Sequence, residues 1–323
     1  MHNSQILKDR IAVVLKNLGR PASLKEISSV ISDKPESTVR GRIYDNLDVL
    51  FKRISRGIYW LTDERAGVLL IEGDGRDLTM FDDESVDALV NDHPWDDPLS
   101  HVGGSRKFDN TYPTFRYEIE DFKEKARVLK KGGFCVEFLP SENANNWKYL
   151  FSIKEMAEQC GLLYYSKVTW IKGTFVSNTG RKSKNSEDVL ILFKGPKARK
   201  LRLDKKKMNQ SGEACYMSGT SKMLPTMFNI QSVPIRERVH QAEKPVELYK
   251  QLLELITKPG EIIVDQFAGS GNLGVAAIQT NRFACLFEIV KENIAKIQRN
   301  IEHVTQSLVN NNTFEWKSKN ILE

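Results

Sequence analysis

Two rhythms of apolar residues divide the chain. Over residues 5–62 the apolar positions Ile6, Ile11, Val14, Leu15 and Leu18 recur at helical spacing, predicting a first helix that stops at Gly19-Arg20-Pro21. Ser23, with Glu26 three positions on, has the chemistry of a capping box and opens a second helix to about Ile31. Ser32-Asp33-Lys34-Pro35 is a turn, and a third helix is predicted from Ser37 to Leu50. Phe51-Lys52-Arg53-Ile54 and Ile58-Tyr59-Trp60-Leu61, parted by Ser55-Arg56-Gly57, read as a hairpin. Residues 63–66 are the expected linker.

From Val68 onward the rhythm changes to short apolar runs separated by helical stretches. Strands are expected at 68–71, 88–90, 134–139, 164–171, 189–193, 262–264 and 285–289. Helices are expected at 117–129, 147–160, 245–256, 275–280 and 291–302. Such alternation predicts an α/β domain over 67–323, with a mainly parallel sheet and helices on both faces. Two stretches, 96–114 and 196–241, carry no regular pattern, and long irregular segments in this class tend to be functional or disordered.

Length and composition fit that division. A chain of 323 residues, 40% hydrophobic and 28% charged, can build one large core and a small accessory unit. No apolar run approaches the roughly 18 residues of a membrane span, and the first residues lack signal-peptide character. The expectation is a cytoplasmic protein without a membrane partner. Cys135, Cys160, Cys215 and Cys285 are too scattered for a metal site, so none is expected. The net charge of +6 is unevenly spread. Residues 1–62 hold 11 Lys/Arg against 6 Asp/Glu, and residues 194–207 hold 8 against 1. Two basic islands on an otherwise acidic chain suit a polyanion such as nucleic acid, although charge alone does not separate that from a solvated basic face.

Candidate chemistry lies at the ends of apolar runs. Asp265-Gln266-Phe267-Ala268-Gly269-Ser270-Gly271-Asn272-Leu273-Gly274 follows Glu261-Ile262-Ile263-Val264 and has the form of a strand turning into a helix, where glycines let backbone approach a ligand. Far upstream, Asn91-Asp92-His93-Pro94-Trp95 ends another apolar run. With Glu72-Gly73-Asp74, the segment Ala126 to Gly133, the strand Glu187 to Lys194, the lead-in His240-Gln241-Ala242-Glu243-Lys244-Pro245 and Cys285-Leu286-Phe287-Glu288, these occur in the order of one family. Over residues 68–303 the chain resembles the β-group, circularly permuted amino DNA methyltransferases. The resemblance implies a Rossmann-like methyltransferase sheet and S-adenosylmethionine as cofactor. Residues 1–62 are similar to small winged helix-turn-helix domains. That implies DNA contacts from Arg40 and Arg42 on the third helix and from Lys52, Arg53 and Arg56 on the hairpin; a winged helix that binds protein remains the alternative.

Carried onto this chain, the family's motifs assign Asp265, Phe267 and Gly269 to the methionine part of the cofactor, with Ala268, Ser270 and Gly271 also in the cofactor-binding loop and Lys244 and Pro245 closing over it. Glu288 takes the ribose hydroxyls and Asp74 the adenine edge. Asp92, His93, Pro94 and Trp95 stand where the family usually has Asp-Pro-Pro-Tyr. The Asp92 carboxylate and the His93 carbonyl would accept the two hydrogens of a base amine, and Trp95 would stack on the extruded base. Histidine in place of proline removes one source of backbone rigidity. Asp at the first position usually accompanies adenine-N6 transfer in this family, and Ser more often accompanies cytosine-N4 transfer. Cytosine, RNA and a catalytically silent DNA-binding homologue stay open as alternatives.

Target recognition falls to 196–241, where Lys197, Arg199, Lys200, Arg202, Lys205, Lys206 and Lys207 can meet phosphates. Arg236 and Arg238 can do the same or reach base edges, and Arg181, Lys182 and Lys184 are expected to face DNA. The loop 96–114 is a candidate lid. Family analogy adds a homodimer and a separate restriction endonuclease as expected partners in a bacterial or phage setting.

Overall fold

Capping chemistry fixes the first elements. In the computed structural model, α1 (Leu7–Leu18) ends where Gly19 takes a left-handed backbone (φ 64°) and donates its N–H to the carbonyls of Leu15 and Lys16. The structure describes residues 6–64, 66–95, 113–173, 185–200, 206–208, 210–212, 214–216, 224–234, 236, 238 and 243–310. β1 (Ala22–Ser23) leads directly into α2 (Leu24–Val30). There Ser23 Oγ accepts the Glu26 N–H at 3.1 Å, and the Glu26 carboxylate accepts the Ser23 N–H at 2.7 Å. α3 (Glu36–Tyr44) is shorter than the pattern predicts. Past Tyr44 the chain coils through turns in which Asp48 adopts φ 61° and the Asn46 carbonyl receives the N–H groups of Leu50 and Phe51. β2 (Phe51–Ser55) and β3 (Ile58–Leu61) complete an antiparallel sheet of order β1-β3-β2.

The remaining elements follow as β4 (Gly67–Glu72), β5 (Val86–Asn91), α4 (Ile119–Val128), β6 (Leu129–Pro140), α5 (Trp147–Gln159), β7 (Leu162–Ile171), β8 (Ser186–Lys194), β9 (Lys206–Met208), β10 (Ala214–Tyr216), β11 (Met227–Asn229), α6 (Val246–Ile256), β12 (Ile262–Asp265), α7 (Asn272–Gln279), β13 (Phe283–Glu288) and α8 (Lys291–Asn310). Every strand and helix expected after Val68 is present. The short strands β9, β10 and β11 lie inside the stretch read as irregular. The main sheet has the order β11-β7-β8-β6-β5-β12-β13-β4. β8 runs against both its neighbours, and the other pairs are parallel.

Alternation along the strands makes two cores, one on each face. Leu89, Cys135, Leu139, Leu190, Val264 and Cys285 pack with α4 and α5. Val90, Val136, Phe138, Ile191, Ile263 and Leu286 pack with α6, α7 and α8. The first core does not stop at the sheet. Ile11, Leu15, Ile27, Val39 and Phe51 of the N-terminal unit join Leu78, Phe81, Phe283 and Phe287 in one apolar cluster.

Polar contacts reinforce this junction. Arg53 and Arg56 both reach Asp82, at 3.1 and 2.7 Å, and the Arg56 N–H meets the Met80 carbonyl at 2.8 Å. Lys52 donates to the Gly260 carbonyl and lies 4.5 Å over the Phe283 ring. No helix among the described residues is long and apolar enough to cross a membrane.

Candidate active site

Parallel strands deliver their carboxyl ends to one edge of the sheet, and the candidate acids lie there. Asp265 ends β12, Glu288 ends β13, Asp92 follows β5, and Asp74 follows β4. The loop from Asp265 to Gly271 is tightly held. Its backbone donates from Phe267 to Asp265 Oδ1 (2.9 Å), from Ala268 to the Phe287 carbonyl (2.8 Å) and from Gly269 to Glu288 Oε2 (3.0 Å). Gly271 has φ 76°, and a Cβ there would come within 2.6 Å of Ile297. Gly75 is equally constrained, since a Cβ would sit 1.9 Å from the Gln266 carbonyl oxygen. Gln266 Nε2 donates to the Gly75 carbonyl at 2.6 Å, clamping the turn that carries exposed Asp74 onto the glycine loop.

This edge is rich in acid. Burial pushes the Asp265 carboxyl up to about 8, and the nearby Asp92, Glu288 and Glu137 add to the rise. Burial also raises Glu288, against the N–H bonds it accepts from Val290 and Gly269. Asp265, met among the described residues by the Phe267 N–H, and Glu288, met by backbone N–H groups and Asn293, lie beside glycines that admit close approach and fit a ligand bringing an ammonium group and hydroxyls. The residues assigned to the cofactor therefore converge, with one qualification. Lys244 does not simply cover the loop. Its ammonium bonds Asp92 Oδ2 at 2.5 Å and Glu187 Oε2 at 3.2 Å, and Asn272 Nδ2 donates to its carbonyl at 2.8 Å. Pro245 caps α6 immediately after it.

The tetrapeptide is packed around its histidine. His93 is 1% exposed, and its Nε2 lies 3.0 Å from the Tyr149 hydroxyl. Its ring stacks on Trp95 (centroids 5.8 Å, 13° between planes) and lies 4.1 Å from Tyr117. The imidazole thus fills the space between Trp95, Tyr117 and Tyr149. Burial, with the charges of Lys125 and Lys244, holds His93 well below its usual range, so it is neutral. Phe115 donates its N–H to the Pro94 carbonyl at 3.1 Å and pairs with Trp95 as a short bridge. Phe115 also touches Phe267 (5.5 Å), so the tetrapeptide and glycine loop share an aromatic wall.

Beneath both loops lies a polar network that pattern reading missed. Glu137, fully buried on β6, accepts from Lys125 Nζ (2.7 Å), the Tyr117 hydroxyl (2.9 Å) and Asn91 Nδ2 (3.0 Å). Asn91 Oδ1 in turn accepts the Gln266 N–H at 3.2 Å. One side chain therefore ties the start of the glycine loop to the residue preceding Asp92. The available signal was a lone carboxylate inside the run Phe134-Cys135-Val136-Glu137-Phe138-Leu139, because a charge in a buried strand needs a partner.

Several residues assigned to DNA have other work. Lys52 is turned inward on Gly260, and burial lowers its pKa. Arg199 forms a fork on Glu261 (2.8 and 2.9 Å), reaches the Ile256 carbonyl and approaches Asp87 at 3.5 Å, so it braces the sheet's other end. Arg53 and Arg56 share Asp82. On α3, exposed Arg40 and Arg42 pair with Glu36 (3.0 Å) and Asp45 (3.5 Å). Lys197, Lys200 and Arg236 are exposed, and Arg238 donates to the Val233 carbonyl at 2.8 Å. Arg181, Lys182, Lys184, Arg202 and Lys205, the side chains of Lys206 and Lys207, and loop residues 96–112 lie outside the described residues.

Comparison with known proteins bears on this geometry. A family model described as DNA methylase matches residues 86–299. Type II methyltransferase M.HpaI of Haemophilus parainfluenzae is 25% identical over 231 residues, covering 70% of this chain and 71% of that protein. The DNA adenine methyltransferase YhdJ of Escherichia coli K12 is 25% identical over 264 residues, covering 70% and 79%. Among solved structures, the M1.HpyAVI–SAM complex aligns with a TM-score of 0.52 at 17% identity, covering 72% of this chain and 98% of that one.

Proposed function

The chain belongs to the N6/N4 DNA methylase family, and from that membership we propose that it methylates the N6 amine of adenine in DNA, using S-adenosylmethionine. The observation that carries the reading is the Asp92–Lys244 ion pair. It joins the tetrapeptide to the segment that leads into the cofactor loop, at one edge of the sheet. When bound, the cofactor supplies a methyl group made electrophilic by the adjacent sulfonium. Asp265 would hold its ammonium, Glu288 its ribose hydroxyls and Asp74 its adenine edge.

A base amine is a poor nucleophile because its lone pair is delocalised into the ring. Asp92 and the His93 carbonyl would each accept one amino hydrogen, favouring a pyramidal nitrogen with its lone pair free to react. One face of Trp95 is taken by His93, and the other is assigned to the extruded base. Such stacking is worth about 1–3 kcal/mol and offsets a flipping cost of a few kcal/mol.

The order of parts, catalytic strand first and cofactor loop last, is that of the permuted β-group. Residues 1–62 are assigned as a winged-helix-like DNA-binding module presenting α3, with 196–241 as the target-recognition region. A homodimer and a separate restriction endonuclease complete the reading by analogy. Cytosine-N4 transfer is the second reading, since the family name covers both amines.

Labelled methyl transfer to unmodified DNA, followed by nucleoside mass spectrometry, tests the assignment. N6-methyladenine is expected. N4-methylcytosine, or label in RNA alone, moves the substrate, and cofactor binding without product sinks the enzyme reading. Asp92→Ala is expected to lower transfer by at least about a hundredfold while DNA binding, measured by gel shift, persists.

A further inference from the structure

Beside Asp92 the site holds a row of alternating charges that the assigned roles do not explain. Lys172 bonds Glu187, Glu187 Oε2 lies 3.2 Å from Lys244 Nζ, and Lys244 Nζ lies 2.5 Å from Asp92 Oδ2. The row is well enclosed: Lys244 is 5% exposed, and the Asp92 and Glu187 side chains 17% and 21%. Its placement follows from the topology. Because β8 runs backwards, its first residues stand at the edge where the parallel strands end, and Glu187 pairs there with Pro140 of β6 and Trp170 of β7. The next residue, Asp188, turns to Lys167 and Thr169 instead (2.9 and 3.2 Å). Glu187 alone of this acidic pair faces Lys244.

We propose that Glu187 is a positioning residue for methyl transfer, sharing the Lys244 ammonium so that it steadies Asp92 without occupying both carboxylate oxygens. The proposal rests on the methyltransferase reading. An ammonium with three donors beside a single buried carboxylate closes on both oxygens, and those oxygens are what a base amine must reach. A second carboxylate on the far side draws part of the donor set away. Two cations against two anions also leave no net charge buried in the row.

Among the described residues, the groups facing Asp92 are Lys244 ahead of α6, Glu187 of β8, Lys172 after β7, Asp265 of β12 and Tyr249 of α6. Burial raises Asp92, Lys244 and Lys172 lower it, and Glu187 raises it. Neutralising Glu187 therefore leaves excess cation beside Asp92 and makes it more acidic.

The test compares wild type, Glu187→Gln and Glu187→Asp in the full chain. It reads S-adenosylmethionine affinity by calorimetry, single-turnover transfer to DNA across pH, and the Asp92 carboxyl by ¹³C NMR titration. The Gln variant is expected to bind cofactor within about twofold of wild type, to transfer about tenfold more slowly, and to titrate Asp92 about one pH unit lower. The acid limb of the rate should move with it, and Glu187→Asp should restore both. An Asp92 titration unmoved by Glu187→Gln overturns the proposal. Equal slowing in both variants with no movement of the limb also overturns it, since a purely structural role would give that result. If wild type transfers no methyl group but Asp92 moves as expected, the coupling of Glu187 to Asp92 is supported and the assigned reaction falls.

Discussion

Asp265 is an acid whose burial is set against a single backbone donor, and its pH behaviour follows from that. With a folded value of about 8 against an ordinary 3.8, the folded protein binds the extra proton. Stability from this group is present below the unfolded value and lost as pH rises through about 8. Cofactor-free protein should therefore melt at lower temperature at pH 8 than at pH 6. Asp265→Asn should flatten that difference, and saturating cofactor should flatten it too; scanning calorimetry at both pH values decides. His93 offers a second residue-level test. The Tyr149 hydroxyl accepts the Tyr117 N–H at 3.0 Å, so its own proton is available to His93 Nε2. Tyr149→Phe strips both partners in a buried place and should cost about 1–3 kcal/mol in denaturant unfolding. Transfer should slow as the tetrapeptide loosens.

At the scale of elements, α4 is fastened to β6 through Lys125 and Glu137, both fully buried. Lys125→Met leaves Glu137 without its cation and should cost about 3–5 kcal/mol, read from the urea midpoint at unchanged slope. The elements were the legible part of this chain. Capping at Ser23, the stop at Gly19 and the strand alternation are local rules, and so is the glycine loop after β12. The positions of Asp92, Asp265 and Glu288 followed, because a strand's carboxyl end can be read from its own residues. What local rules could not supply was direction and partner. Nothing in Ser186-Glu187-Asp188 states that β8 runs backwards, so Glu187 was read as strand and not as site. Arg199 and Lys52 counted as basic surface because charge totals take no account of Glu261 or Gly260. α3 stops at Tyr44 and the chain then turns through Asp48 in a left-handed backbone, where apolar spacing alone continues the helix.

For the whole molecule, the shared apolar cluster makes the N-terminal unit part of the main core. A linker-tethered module would melt independently. Here Ile11, Leu15 and Phe51 join Phe81 and Phe283 in one core, so a calorimetric scan should give a single cooperative transition, and two resolved peaks would contradict it. The hairpin anchored by Lys52, Arg53 and Arg56 has a consequence for the proposed binding of DNA. It works as a bracket, fixing α3 at a set offset from Trp95. If α3 and Trp95 meet DNA as proposed, two contacts mounted on one body would act as a ruler, and the interval between the duplex under α3 and the extruded base would be a constant of the fold. Lengthening that interval by about five base pairs, half a turn of duplex, would carry the second contact to the opposite side of the DNA. Spacing would then be read as strictly as sequence.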